Sequence, residues 1–336
     1  MRITQDTLLR IAQDTVDRRA RAERNLVAAY LCGSLLGEDY LLGGAADIDL
    51  VLIHIDTPSQ EREIVSLTDE VHLDIAHHGQ KLYRQARQLR PHPWVGPTLS
   101  TCKMLYDPQH FLDFTQASVR GQFDRSDYVL QRSRQQADQA RRIWLCYQTE
   151  PPAPGPQSVF GYLRAVGQAA NAIASLNGPP LTERRLLLGF PERAAAVDRP
   201  GLYAGLLGLL GAAYLEPDSL SAWLPGWRAA YCAIPAEKAP ARLHPSRRLY
   251  YQRAFEAILV GPAPQAVLWP LLRTWTLAIL QLPLDSAEWQ AWQRAFEFLG
   301  LLDVASSDRL DALDAYLDQV EETLEDWARQ NGAEYA

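Results

Sequence analysis

The stretch Leu31–Ile53, LCGSLLGEDYLLGGAADIDLVLI, decides how the chain is read. At its front, the apolar run Leu26–Leu31 enters Cys32-Gly33-Ser34, the pattern of a strand that ends in a tight turn. At its back, Asp47–Ile55 reads as a second strand. Successive side chains on a strand point to opposite faces, so Asp47 and Asp49 project together while Ile48, Leu50 and Leu52 project into a core. Two carboxylates on one face repel each other and gain little from folding alone. A divalent cation removes that penalty, and hard oxygen ligands suit Mg²⁺.

A third acid follows on the next apolar segment, Val71–His77. There Val71, Leu73 and Ile75 form the apolar side and leave His72 and Asp74 on the other. If the two strands are neighbours in register, Asp74 joins Asp47 and Asp49 in a site able to hold two metal ions. Gly33-Ser34 adds a turn at which backbone N–H groups and a hydroxyl can approach phosphate oxygens. A Gly-Ser pair or an Asp-x-Asp in a strand is common alone; the combination is specific.

Gly33-Ser34 after an apolar strand, twelve intervening residues (35–46), then Asp47-Ile48-Asp49 within a second strand resembles the signature of the polymerase-β-type nucleotidyltransferase superfamily. The resemblance runs over residues 25–110. It includes Met104-Leu105-Tyr106-Asp107-Pro108, similar to a strand end of the small-molecule, aminoglycoside-type branch. It implies an α+β fold, with a short mixed β-sheet backed by helices. It also implies Mg²⁺-dependent transfer of a nucleoside monophosphate from an NTP, ATP foremost, to a hydroxyl, with release of pyrophosphate. By position, Gly33 and Ser34 would bind phosphate. Asp47 and Asp49 would hold metal, two ions in all, and Asp74 would be the third ligand or the general base. Where the family often carries a basic or polar residue after the Gly-Ser, this chain has Leu35-Leu36, followed by Glu38-Asp39. Arg132, Arg134, Arg141 and Arg142 are candidates for neutralising the triphosphate, against an ordinary solvated helix face.

Working outward, Thr7–Arg24 sets Leu8, Ile11, Ala12, Val16 and Ala20 on one helical stripe. Gly79–Arg90 suits a helix closed by Pro91 and Pro93, and Thr98–Tyr106 a fourth strand. Past residue 120 nearly everything reads as helix. Ser126–Gln148 is a long one, broken by the proline-rich segment 150–156. Further helices are expected at Val159–Leu176, Thr182–Leu188, Leu202–Tyr214, Ser219–Tyr231 (interrupted at Pro225), Ser246–Leu259, Ala266–Gln281, Ser286–Leu301 and Ser307–Gln330. The expected division is a catalytic domain at 1–120 and an all-α, bundle-like domain at 121–336. Seven of nine tryptophans lie beyond residue 200 and read as bundle core. In the antibiotic-modifying relatives a helical domain supplies acceptor contacts, which makes Glu183 the candidate acceptor-side acid; a capping role after Thr182 is its structural alternative.

The bulk numbers fit. At 336 residues the chain can bury two cores. A net charge of −7 argues against a nucleic-acid coat and suits a cationic small acceptor. Four cysteines without paired spacing indicate neither zinc nor disulfides. The polar N-terminus and the absence of a long apolar run point to a cytoplasmic protein with no membrane span. The partners expected are an NTP and a small hydroxylated acceptor, with a homodimer compatible. The alternative is a nucleotidyltransferase-fold regulatory or interaction protein, antitoxin-like, or a transferase acting on a protein or RNA.

Overall fold

The computed structural model describes residues 3–212, 215 and 217–333. It is an α+β chain of two compact units. The first runs to Arg125 and includes Leu249–Ala254; the second is Ser126–Arg248 and Phe255 onward.

The first unit is built on β1 (Leu26–Cys32), β2 (Ala46–His54), β3 (Arg62–Ser66), β4 (Val71–Gly79) and β5 (Lys103–Tyr106). Their order is β3-β4-β2-β1-β5. β2 and β4 run parallel, and the other pairs are antiparallel. Helix α1 (Gln5–Ala22) is capped by Thr4, whose side chain accepts from the Thr7 N–H. Its Leu8, Ala12 and Val16 pack with Leu31, Ile48, Leu50, Leu52, Leu73 and Ile75 on one face of the sheet. The other face is apolar over part of its length, where Tyr30, Val51 and Ile53 meet Tyr83, Leu89, Leu99 and Leu112. β2 is thus covered on both sides except where Asp47 and Asp49 stand. Each fully buried aliphatic side chain contributes about 1.5–3 kcal/mol, so a one-residue slip of register would be severely unfavourable.

Two expected elements differ. Gly79–Arg90 is a 3₁₀ turn at Gln80–Tyr83 followed by the one-turn helix α2 (Ala86–Leu89). Thr98–Tyr106 divides into α3 (Val95–Thr101) and the short β5. The hydroxyls of Thr98 and Thr101 donate to the carbonyls of Trp94 and Pro97, at 2.8 and 3.1 Å, so both find partners within the helix. β3 and α4 (Phe111–Arg120) were not anticipated.

The second unit is helical: α5 (Ser126–Thr149), α6 (Pro156–Ala174), α7 (Leu186–Ala195), α8 (Gly201–Leu209), α9 (Pro217–Ala233), α10 (Arg248–Leu259, of which Leu249–Ala254 belongs to the first unit), α11 (Leu268–Ile279), α12 (Ala287–Phe298) and α13 (Ser307–Gln330). The proline-rich segment separates α5 from α6, which pack on each other. Pro225 does not interrupt α9 but lies inside it, at the expense of one backbone hydrogen bond. The expected end of a helix at Ala213-Tyr214 lies outside the described residues. Trp227, Trp275 and Trp292 are buried. The indoles of Trp227 and Trp292 donate to Thr274 and Thr276 on α11, at 2.9 and 3.2 Å. Buried tryptophan N–H groups are satisfied in this way in a core. Among the described residues, no helix is long and apolar enough to cross a membrane, and all four cysteines are free thiols.

Candidate active site

The parallel pairing of β2 with β4 sets Asp47 opposite His72 and Asp49 opposite Asp74. All four side chains occupy one face of the sheet, because the alternate residues Ile48, Leu50, Leu73 and Ile75 fill the core on the other. One carboxylate oxygen from each of Asp47, Asp49 and Asp74 lies within 4.8 Å of the others. Asp47 and Asp74 are buried, and Asp49 is half-buried. At such separations and an effective dielectric constant of about 20, each ionised pair repels by about 3–4 kcal/mol. Apolar packing holds the trio together against that repulsion. Three hard oxygen donors in this arrangement fit Mg²⁺.

A histidine and an arginine stand beside these carboxylates. His72 Nε2 stands 2.7 Å from Asp47 Oδ1, with both side chains almost fully buried. The ring of Tyr250 meets His72 edge to face, centroids 5.0 Å apart. Arg62, at the start of the edge strand β3, donates from Nε to Asp74 Oδ1 at 2.5 Å and from a terminal nitrogen to Oδ2 at 2.8 Å. β3 pairs Arg62 with Ala76, two residues along from Asp74 and on the same face, so the fork reaches diagonally across the strands.

The turn after β1 closes on the same carboxylates. Gly33 adopts φ +79°, and a Cβ there would stand 2.0 Å from Asp49 Oδ2. Glycine is therefore required both by backbone conformation and by the carboxylate. Ser34–Leu36 forms a 3₁₀ turn with Leu35 buried, and Gln5 Nε2 donates to the Leu35 and Gly37 carbonyls at 2.8 and 3.1 Å. That turn's own bonds use the N–H groups of Leu36 and Gly37, which leaves the earlier amides at its N-terminal end. Burial and the nearby Asp49 carboxylate push the Cys32 thiol well up, so it stays protonated.

The structure therefore brings together Gly33, Asp47, Asp49 and Asp74, with Ser34 next in the turn. Sequence reasoning missed Arg62; it set His72 on the face of Asp74, near the site, without naming Asp47 as its neighbour. The β-branched pair Ile64-Val65 was the available signal for a strand there. Further along β4, His77 and His78 face opposite ways: His77 Nδ1 hydrogen-bonds His54 Nε2 at 3.0 Å, and His78 Nδ1 bonds the Tyr83 hydroxyl at 2.5 Å.

Glu183 lies in the second unit, in a 3₁₀ turn before α7. Its Oε1 accepts from Arg242 at 2.7 Å and sits 3.6 Å from Arg273 Nε. Of the arginines on α5, Arg132 is buried. Arg141 bonds Asp314, Asp318 and Glu321 of α13, and Arg142 donates to the Asp138 carbonyl. Arg134 is half-buried.

No protein-family model matches the chain, and no curated protein does. Among solved structures it is similar to the nucleotidyltransferase-like protein from Exiguobacterium sibiricum 255-15, at 13% identity over 96% of this chain and 92% of that one, with a TM-score of 0.33.

Proposed function

We propose that the chain is a nucleotidyltransferase that moves a nucleoside monophosphate from an NTP to a hydroxyl of a small molecule and releases pyrophosphate. The observation that carries this reading is the register Asp49 to Asp74 in a parallel strand pair, which gathers three carboxylates within 4.8 Å beside a glycine turn. Asp47, Asp49 and Asp74 would hold the divalent cation, Mg²⁺ being the natural choice for an all-oxygen set. When bound, such an ion offsets phosphate charge and lowers the pKa of an oxygen ligand.

The chain's own residues have separate tasks. His72 fixes the rotamer of Asp47. Asp49, pressed against Gly33, links the metal site to the turn. The amides at Gly33 and the Ser34 hydroxyl would donate to phosphate oxygens. A carboxylate oxygen of Asp74 would accept the acceptor's hydroxyl proton as the new P–O bond forms and pyrophosphate leaves. A net charge of −7 favours a cationic acceptor.

One observation favours a second reading, a nucleotide-binding regulator without turnover: Arg62 engages both oxygens of Asp74. Pyrophosphate release with Mg²⁺, each NTP and a panel of hydroxylated acceptors separates the two, with Asp47→Asn and Asp49→Asn as controls. Transfer should fall at least about a hundredfold in either variant. Release unaffected by both substitutions would refute the proposed site. Metal and nucleotide binding without release on any acceptor would favour the regulator.

A further inference from the structure

We propose that Arg62 is the built-in counter-ion of the carboxylate cluster, and that a divalent metal binds by displacing its guanidinium from Asp74. The inference rests on the nucleotidyltransferase reading, which supplies the metal. The fork spans both oxygens of Asp74, at 2.5 and 2.8 Å. Each charge-assisted bond is worth roughly twice a neutral one, so Arg62 lowers the electrostatic cost of holding three acids together while no ion is present. A divalent ion on the same carboxylate would sit beside that positive charge and be repelled by it.

Exposure decides which partner moves. The side chain of Asp74 is 1% exposed, and that of Arg62 is 46% exposed. Asp74 is fixed by the core around β4, whereas Arg62 sits on the edge strand and can turn into water without leaving a buried cation behind. His72 differs: it is 2% exposed against an Asp47 that is 3% exposed, so that pair stays in place. The cluster thus has one fixed and one removable basic partner. Arg62 is accordingly a positioning residue that sets how tightly the site takes free metal, and it is released when the ion arrives.

The test uses the full chain and Mn²⁺ alone as probe, followed by calorimetric titration and by the paramagnetic signal of the free ion. Wild type, Arg62→Gln, Arg62→Lys and Asp49→Asn are compared in metal-free buffer. Arg62→Gln should bind Mn²⁺ about tenfold more tightly than wild type, the scale of one charge-assisted hydrogen bond. Arg62→Lys, which keeps the charge and loses the fork, should fall between them. Arg62→Gln should melt lower than wild type without metal and gain more from Mn²⁺, because the ion replaces the missing counter-charge. Equal or weaker Mn²⁺ affinity in a folded Arg62→Gln overturns the proposal. If that variant folds only with metal, the comparison of Arg62→Lys with wild type decides, and equal affinities overturn it. Wild type that binds Mn²⁺ no better than Asp49→Asn overturns the metal reading and this inference together. Wild-type binding that Asp49→Asn abolishes but Arg62 does not influence overturns this inference alone.

Discussion

His72 Nε2 and Asp47 Oδ1 stand 2.7 Å apart on neighbouring parallel strands whose register pairs the two residues directly. So close an approach in a dry place restricts the carboxylate's rotamers, and Tyr250 against the His72 ring limits the imidazole in turn. Outer partners of this kind typically change metal affinity 10–100-fold when removed. His72→Ala should therefore weaken Mn²⁺ binding by about that factor while far-ultraviolet circular dichroism stays native. His72→Asn, which keeps a polar side chain beside Asp47, should lose less. Unchanged affinity in His72→Ala would mean that the pair serves packing only.

Gly33 and Gly44 form a matched pair of probes. Both have positive φ, +79° and +74°. A Cβ at Gly33 meets Asp49 Oδ2 at 2.0 Å, whereas at Gly44 it meets nothing within 4 Å. Alanine costs about 1–3 kcal/mol of backbone strain at either position, and Gly33, at φ +79° and ψ −164°, lies in a region essentially confined to glycine. Gly33→Ala must in addition push the Asp49 carboxylate aside. The expected result is a loss of stability in urea for both variants, larger for Gly33→Ala, with Mn²⁺ affinity lowered only in Gly33→Ala. Equal metal affinity in the two would detach the turn from the metal site.

Much of the first unit was legible because its signals are local. The alternation in Asp47–Ile53 fixed which side chains face the core. The apolar positions of β4 did the same for His72 and Asp74, whose adjacency to β2 was an inference that the parallel register bears out. What was not legible depends on pairing across distance. Arg62 lies on an edge strand with only five residues and no apolar face of its own, so it reads as a connector until β4 is beside it. The partial failure at Thr98–Tyr106 has a local cause: threonines that favour strands instead bond back to the helix carbonyls. Glu183 was visible as an acid, but its guanidinium partners lie 59 and 90 residues further along the chain, at Arg242 and Arg273.

Those partners give Glu183 a testable division of roles. Arg273 has a side chain only 14% exposed and lies over the rings of Phe160 and Trp269, at 4.9 and 5.6 Å. Burial pulls its pKa down, and the Glu183 carboxylate works against that. Glu183→Gln would leave a buried guanidinium facing a neutral amide, at a cost of about 1–3 kcal/mol. A structural carboxylate predicts a lower melting temperature and unchanged turnover per folded molecule. An acceptor-side base predicts turnover reduced at least about tenfold, whatever the melting temperature. Thermal melts and single-acceptor kinetics on the same preparation separate the two.

His78 makes the first unit sensitive to acid. Its Nδ1 lies 2.5 Å from the Tyr83 hydroxyl, which in turn bonds the hydroxyl of Tyr30 at 3.0 Å. Burial, and then the positive charge of Arg62, pull the imidazole from its ordinary value near 6.5 down to about 4. The folded chain therefore keeps His78 neutral at pH values where the unfolded chain has already protonated it. Between about pH 6.5 and 4 the unfolded state binds more protons, so this contribution is complete above that window and is lost as pH falls through it. The difference between the two values bounds the effect at about 3 kcal/mol. In urea unfolding at pH 7.5 and 4.5, wild type should lose more stability on acidification than His78→Gln, by about 1–3 kcal/mol. Paired carboxylates also weaken in acid, but they do so in both proteins and drop out of the comparison. Equal losses would show that the imidazole is protonated in the folded state, with its Nδ1–H donating to the hydroxyl oxygen of Tyr83.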